Sequence, residues 1–414
     1  MRRLSFVFPF VVSLALAACS SATEPVQPPP QITALPRMLS ADEQLVIAAN
    51  NRFAFRLLQA VSAGASGANV FLSPLSASMA LGMTMNGAAG QTQDEMRTAL
   101  GFGAQSMERI DASYESLVPM LRALDPKVDI RIANALFART GFPFEPAFIS
   151  LVQQRFGAQA TTLDLGAPSA LATINGWADR NTNGKIPKVL DSIDSSIVML
   201  LMNAVYFKGS WTTRFPAAKT KDDVFTTSQR ALVPVRMMET ETTARLAILP
   251  DLTALDLPYG GQAYSMTVLL PAQSTAAAQI VATLTDARWD SIVGRLSPTK
   301  VRVQLPKFRL SYSGQLAGPL QSLGMKQAFV MGGADFTAMS STRGRELFID
   351  FVKHDTFIDV NEEGTEAAAV TTVGIGTTSA GAPPVLVRVD RPFVLAIRER
   401  LSGTVLFLGL IERP

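Results

Sequence analysis

The chain has 414 residues, of which 48% are apolar, 7% aromatic and 17% charged, so it can bury a large core and is not a disordered polymer. Lys and Arg number 37 against 34 for Asp and Glu, without basic runs, so no electrostatic footprint for nucleic acid is present and no nucleic-acid partner is expected. With one histidine, His354, and one cysteine, Cys19, the sequence excludes a Cys/His metal cluster, a disulfide framework and a Cys–His nucleophile pair, and no metal or other cofactor is expected.

Arg2 and Arg3 precede an apolar run from Leu4 to Leu16, followed by the small residues Ala17 and Ala18. A basic start, an apolar stretch too short to span a bilayer and small residues before a cut describe a secretory signal over 1–18. Leu16-Ala17-Ala18-Cys19 further resembles the bacterial lipoprotein box, which implies a lipid on Cys19; a plain cleaved signal with a leftover cysteine is the alternative. Ser20 follows, where Asp would mark inner-membrane retention, so the expected place is the cell envelope, at the outer membrane, or the exterior. From 19 to 36 the chain is polar, with five prolines between Pro25 and Pro36, and reads as a stiff tether.

The folded domain is expected over 37–414, uninterrupted by a second linker. Ser40-Ala41-Asp42-Glu43 is a capping box, and Val46, Ala49, Phe53, Leu57 and Ala60 recur at helical spacing behind it. Ser73-Pro74 opens a second helix, whose Leu75, Met79, Gly82 and Met83 suit burial under a sheet. Strand patterns follow over 197–207, 264–270 and 301–305, and 393–398 with 405–411 read as a hairpin around Arg400-Leu401-Ser402-Gly403. Helices first and antiparallel strands later make the fold class α+β.

The most unusual segment follows a strand ending in Phe357-Ile358-Asp359-Val360-Asn361-Glu362. From Glu363-Gly364-Thr365-Glu366-Ala367-Ala368-Ala369 to Pro383-Pro384 it is rich in Ala, Gly and Thr, and between Glu366 and Arg388 it has neither charge nor aromatic ring. Composition alone allows a flexible linker. It equally suits a chain with two states, exposed as a loop or inserted as a strand, since Thr365, Ala367, Ala369 and Thr371 would share one small-residue face while Glu366 lies opposite. A Gly374-Ile375-Gly376 turn for a dinucleotide is dismissed, because Ser379 takes the third glycine position and no helix follows.

Glu362 through Ala369 resembles the hinge of the reactive loop in inhibitory serpins, and the resemblance runs along the whole domain. Asn69 through Ser76 with Asn86-Gly87-Ala88 is similar to the serpin strand and helix beneath the central sheet. Asn203-Ala204-Val205-Tyr206-Phe207-Lys208-Gly209-Ser210-Trp211 is similar to the strand that ends at the sheet opening. Asn183-Gly184-Lys185-Ile186, Leu305-Pro306-Lys307 and Asp390-Arg391-Pro392-Phe393 through Gly409 match further signatures.

The resemblance implies helices packed on a large central sheet with further antiparallel sheets, and an exposed reactive loop over about 362–390. It implies a suicide-substrate inhibitor of serine, or alternatively cysteine, proteases, acting as a monomer through a covalent complex and not as an enzyme. Ser73, Ser76, Asn203 and His354 take the positions of the family's shutter, where the histidine hydrogen-bonds an asparagine and serines. Trp211, Lys307 and Glu362 take those of the breach, the last two as an ion pair. A carrier or chaperone serpin is the runner-up, although the bulky, charged or proline hinge residues usual there are missing. A hydrolase using His354 would need a nucleophile elbow, and no Gly-x-Ser-x-Gly is present. Counting from Gly364 places the scissile bond at Thr378–Ser379, with Ile375, Thr377 and Ala380 as alternatives. All are small or aliphatic, which points to elastase-like or subtilisin-like proteases and away from trypsin-like ones.

Overall fold

The computed structural model describes residues 30–65, 67–365 and 383–414. The signal segment, Cys19, the hinge residues Glu366, Ala367, Ala368 and Ala369, and the candidate cut at Thr378–Ser379 with Ile375, Thr377 and Ala380 lie outside the described residues.

The helices are α1 (Ala41–Ala63), α2 (Pro74–Asn86), α3 (Gly90–Leu100), α4 (Met107–Ala123), α5 (Pro146–Phe156), α6 (Pro168–Asn181), α7 (Ala277–Thr283), α8 (Asp286–Gly294) and α9 (Ala317–Ser322). Among the described residues none is long and apolar enough to cross a membrane. The strands are β1 (Val70–Leu72), β2 (Val128–Arg139), β3 (Gln159–Leu163), β4 (Met199–Ser210), β5 (Lys221–Thr226), β6 (Leu232–Ile248), β7 (Leu252–Tyr259), β8 (Tyr264–Pro271), β9 (Ser297–Gln315), β10 (Lys353–Asn361), β11 (Gly364–Thr365), β12 (Val385–Arg388), β13 (Phe393–Glu399) and β14 (Val405–Ile411).

The capping box starts α1 as its sequence dictates: Glu43 N donates to Ser40 Oγ at 3.1 Å, and Ser40 N donates to Glu43 Oε2 at 2.8 Å. Arg37 adds a bidentate contact to the Glu43 carboxylate and, with it, holds that group at about 2. Val46, Phe53 and Leu57 are buried, each such side chain stabilising the fold by about 1.5–3 kcal/mol. The helix α2 has no exposed stripe, because it lies between α1 and the strands β4 and β14.

Connected hydrogen-bonded strands run in the order β1-β14-β13-β8-β7-β6-β9-β10-β11-β4-β2-β3, with β12 on β9 and β5 on β6. The expected hairpin is β13–β14, with a register shift between Ile397 and Arg398. The expectation of antiparallel strands only after the helices is corrected in two respects: β1, β2 and β3 interleave with the first six helices, and the β2–β3 and β9–β12 pairings are parallel. The strand read as 301–305 extends to Ser297–Gln315, since its N-terminal half pairs with β6 and its C-terminal half with β10. One core joins α1 and α2 to β13 and β14, and a second, around Ile174 and Trp177 of α6, packs on Phe137 and Leu200. Sheet strands β2 and β4 therefore carry helices on both faces, and anything added beside β4 becomes interior.

Candidate functional site

At the top of β4 and β10 the chain turns at Glu362-Glu363 and re-enters the sheet as β11. Gly364 pairs with Asn361 of β10 on one side and Ser210 of β4 on the other; Thr365 likewise pairs with Val360 and Gly209. The first hinge residues thus already stand as a strand between β10 and β4. Glycine at 364 is a matter of space: a Cβ there would meet Gly209 O at 2.1 Å and Ser210 Cα at 2.7 Å.

Several donors fix this turn. Trp211 N donates to Glu363 O at 2.8 Å, Phe215 N to Glu362 O at 2.9 Å, and Trp211 Nε1 to Asn361 O at 2.9 Å. The Trp211 ring stacks on Tyr259 with centroids 4.5 Å apart, and the Tyr259 hydroxyl meets Thr365 Oγ1 at 2.6 Å in a buried pair. Burial pushes the Tyr259 phenol upward, so it stays neutral and available to that contact. Lys307 Nζ lies 3.0 Å from Glu362 Oε2, and Thr220 Oγ1 donates to Glu362 Oε1 at 2.9 Å. Burial alone would raise the Glu362 pKa, but the hydrogen bond from Lys307, with those from its own backbone and Thr220, holds it below the ordinary carboxylate value.

Below Thr365 the arrangement changes. Among the described residues no ladder joins β4 to β10, and a cavity of about 460 Å³ is lined by Ser76, Ala77 and Ala80 of α2, Asn203 of β4 and His354 of β10. The structure brings Ser73, Ser76, Asn203 and His354 to this one place, but it does not join them as the resemblance implies. His354 Nε2 accepts from the Ser73 backbone N–H at 2.9 Å, while Asn203 Nδ2 donates across to Asn134 Oδ1 at 2.6 Å. The Asn203 amide oxygen is buried with no hydrogen-bond partner among the described residues. The histidine–asparagine bond that the resemblance implies is therefore not found among the described residues, because His354 Nε2 is engaged by the Ser73 N–H and the Asn203 amide by Asn134.

A catalytic serine–histidine pair is not formed either. The Ser73 hydroxyl donates to Leu406 O at 3.0 Å, and the histidine faces the serine's backbone and not its Oγ. Burial lowers His354 to about 4, so the imidazole is neutral near pH 7. Among the described residues no group of three or more His, Cys, Asp or Glu side chains could hold a metal ion.

Sequence reasoning missed Tyr259, Thr220 and Asn134. Pro258-Tyr259-Gly260-Gly261 carries the signal of a turn after a strand, yet nothing local tells which distant strand Tyr259 meets.

The site thus presents a sheet that holds Gly364 and Thr365 as a short strand between β10 and β4. The comparisons name the class. A family model described as Serpin (serine protease inhibitor) matches residues 48–414. Iripin-2 of Ixodes ricinus is 36% identical over 381 residues, 90% of this chain and 94% of that protein. The leukocyte elastase inhibitor of Sus scrofa is 36% identical over 379 residues, 89% of this chain and 99% of that one. Among solved structures, the crystal structure of Tengpin, a thermophilic serpin in the native state, matches with a TM-score of 0.80 at 29% identity over 93% of this chain and 97% of that chain. Human thyroxine-binding globulin matches with a TM-score of 0.82 at 26% identity over 90% and 100%. The chain belongs to the serpin family.

Proposed function

We propose that this serpin is an irreversible inhibitor of extracytoplasmic proteases of the elastase-like or subtilisin-like kind. The observation that carries the reading is the seated hinge: Gly364 and Thr365 occupy the sheet between β4 and β10 as the start of a further strand. The nucleophile of the target protease, a serine hydroxyl or alternatively a cysteine thiol, attacks the carbonyl of Thr378. The bond to Ser379 breaks, the amine of Ser379 leaves with the C-terminal part, and the acyl group stays on the protease. Insertion of the cut loop from Thr365 downward then adds ladder bonds along β4 and β10 and carries the acylated protease away before water reaches the ester.

The leukocyte elastase inhibitor among the relatives supports an apolar-pocket target, as does the uncharged stretch between Glu366 and Arg388. A lipid on Cys19 would hold the monomeric inhibitor at the cell envelope, with residues 20–36 leading from the anchor to the body. Against a hydrolase stands the engagement of the Ser73 hydroxyl with Leu406 O. The test mixes the protein with elastase-like, subtilisin-like and trypsin-like proteases. A complex resistant to SDS with either of the first two supports the reading, with mass spectrometry locating the released peptide at Ser379. Cleavage by all three without any complex would overturn it.

A further inference from the structure

The packed chain begins ahead of Arg37, within the segment read as tether. Ile32 N donates to Gly261 O at 2.8 Å, and Ile32, Leu35 and Leu39 are half-buried against the main core. Arg37 fastens the end of this stretch, reaching Glu43 on α1 and, at 2.6 Å, the Ser116 hydroxyl on α4. The approach is tight: a Cβ on Gly261 would stand 3.0 Å from both Pro30 O and Ile32 Cδ1.

The turn that receives Ile32 leads straight to the hinge. Gly260 N donates to Ser210 O at 2.8 Å, the Ser210 that pairs with Gly364, and Thr212 Oγ1 donates to Gly260 O at 2.9 Å. Gly261 N donates to Asp125 Oδ2 at 2.8 Å, which ties the same turn to the segment after α4. Two residues before Gly261 stands Tyr259, stacked on Trp211 and in contact with Thr365.

We propose that residues 30–39 form a strap that holds the hinge in the sheet, with Ile32 and Tyr259 as positioning residues. Fixing Gly261 fixes the Tyr259 backbone, which aims its hydroxyl at Thr365 and its ring at Trp211. With the strap in place the first step of insertion is already made; without it the hinge exchanges between seated and free. The consequence for inhibition rests on the function proposed above, whereas the seating of the hinge does not.

The test is hydrogen exchange of the full-length, protease-free protein, read on the amides of 361–365. Ile32→Pro removes the N–H that binds Gly261, and Ile32→Asp removes its apolar contact. Each is expected to speed exchange of 361–365 by about fivefold, the scale of one lost hydrogen bond, without changing the β13–β14 hairpin. Ile32→Val restores slow exchange. Tyr259→Phe produces the same acceleration, and adding Ile32→Pro to it produces no more, because both act along one line. Unchanged exchange at 361–365 in Ile32→Pro, or additive effects in the double variant, overturns the proposal. Failure of the wild-type protein to inhibit any protease would sink the functional reading and leave this result standing.

Discussion

The region around Trp211 and the region around His354, which take the positions of the family's breach and shutter, are built in opposite ways. At the breach nearly every group that touches the hinge is partnered: Trp211 donates twice, Glu362 receives Lys307 and Thr220, and Thr365 meets Tyr259. At the shutter, among the described residues, no ladder joins the two strands, the buried Asn203 amide oxygen has no hydrogen-bond partner, and His354 accepts from the Ser73 backbone N–H just ahead of α2. On the proposed function, the difference would give insertion a direction: a strand that entered from Thr365 would grow from an ordered end toward the unpartnered Asn203 oxygen.

The sharpest way to break this comparison is Thr365→Arg. Thr365 is 2% exposed, so a guanidinium there is buried without a partner or expels the hinge. Inhibition is expected to vanish, with the loop cut as an ordinary substrate, and titration of active protease would reveal it; unchanged stoichiometry would refute a seated hinge. Next comes Gly364→Ala, whose Cβ cannot coexist with Gly209 O, so β11 must shift at a cost of about 1–3 kcal/mol. Hydrogen exchange of 361–365 should rise while the remaining sheet stays protected.

At the shutter, His354→Leu should lower the unfolding free energy at pH 7 by about 1–3 kcal/mol through the Ser73 N–H left behind. Its pH dependence carries a definite sign. Native His354 sits at about 4 against an ordinary value of 6.5, so as pH falls through that window the unfolded chain takes up a proton that the native state refuses. Wild type therefore loses up to about 3 kcal/mol between pH 6.5 and 4 from this group, and its advantage over the variant shrinks on acidification. A difference constant over that window would contradict the burial of a neutral imidazole. The smallest effect belongs to Lys307→Met. With Lys307 45% exposed, the ion pair to Glu362 is worth about 0–1 kcal/mol, and denaturant titration should find no more.

What could be read from the sequence follows the range of the interactions. The capping box at Ser40 and the hairpin around Ser402-Gly403 depend on residues a few positions apart and were legible without any fold. Trp211, Lys307 and Glu362 were legible only through family resemblance, since 55 positions separate the last two. Tyr259 and Thr365 are 106 positions apart, and no local pattern announces their contact. The lack of a β4–β10 ladder among the described residues was hidden for the same reason: each has an ordinary strand pattern, and pairing is a property of the sheet. Ile32 was hidden by its surroundings, since a proline-rich stretch reads as tether until Gly261, far along the chain, offers its carbonyl.

Insertion of the cut loop between β4 and β10 is the central claim, and thermal unfolding of the loop-cleaved protein tests it most directly. Nicking the reactive loop with a protease that is not inhibited, then comparing melting before and after, requires no knowledge of the target. If the cut strand enters beside β4 and β10, the new ladder of roughly ten hydrogen bonds at about 1 kcal/mol each should raise the Tm by at least about 10 °C, and Thr365→Arg should abolish the rise. A cleaved wild-type protein that melts at or below the temperature of the intact one would contradict the account.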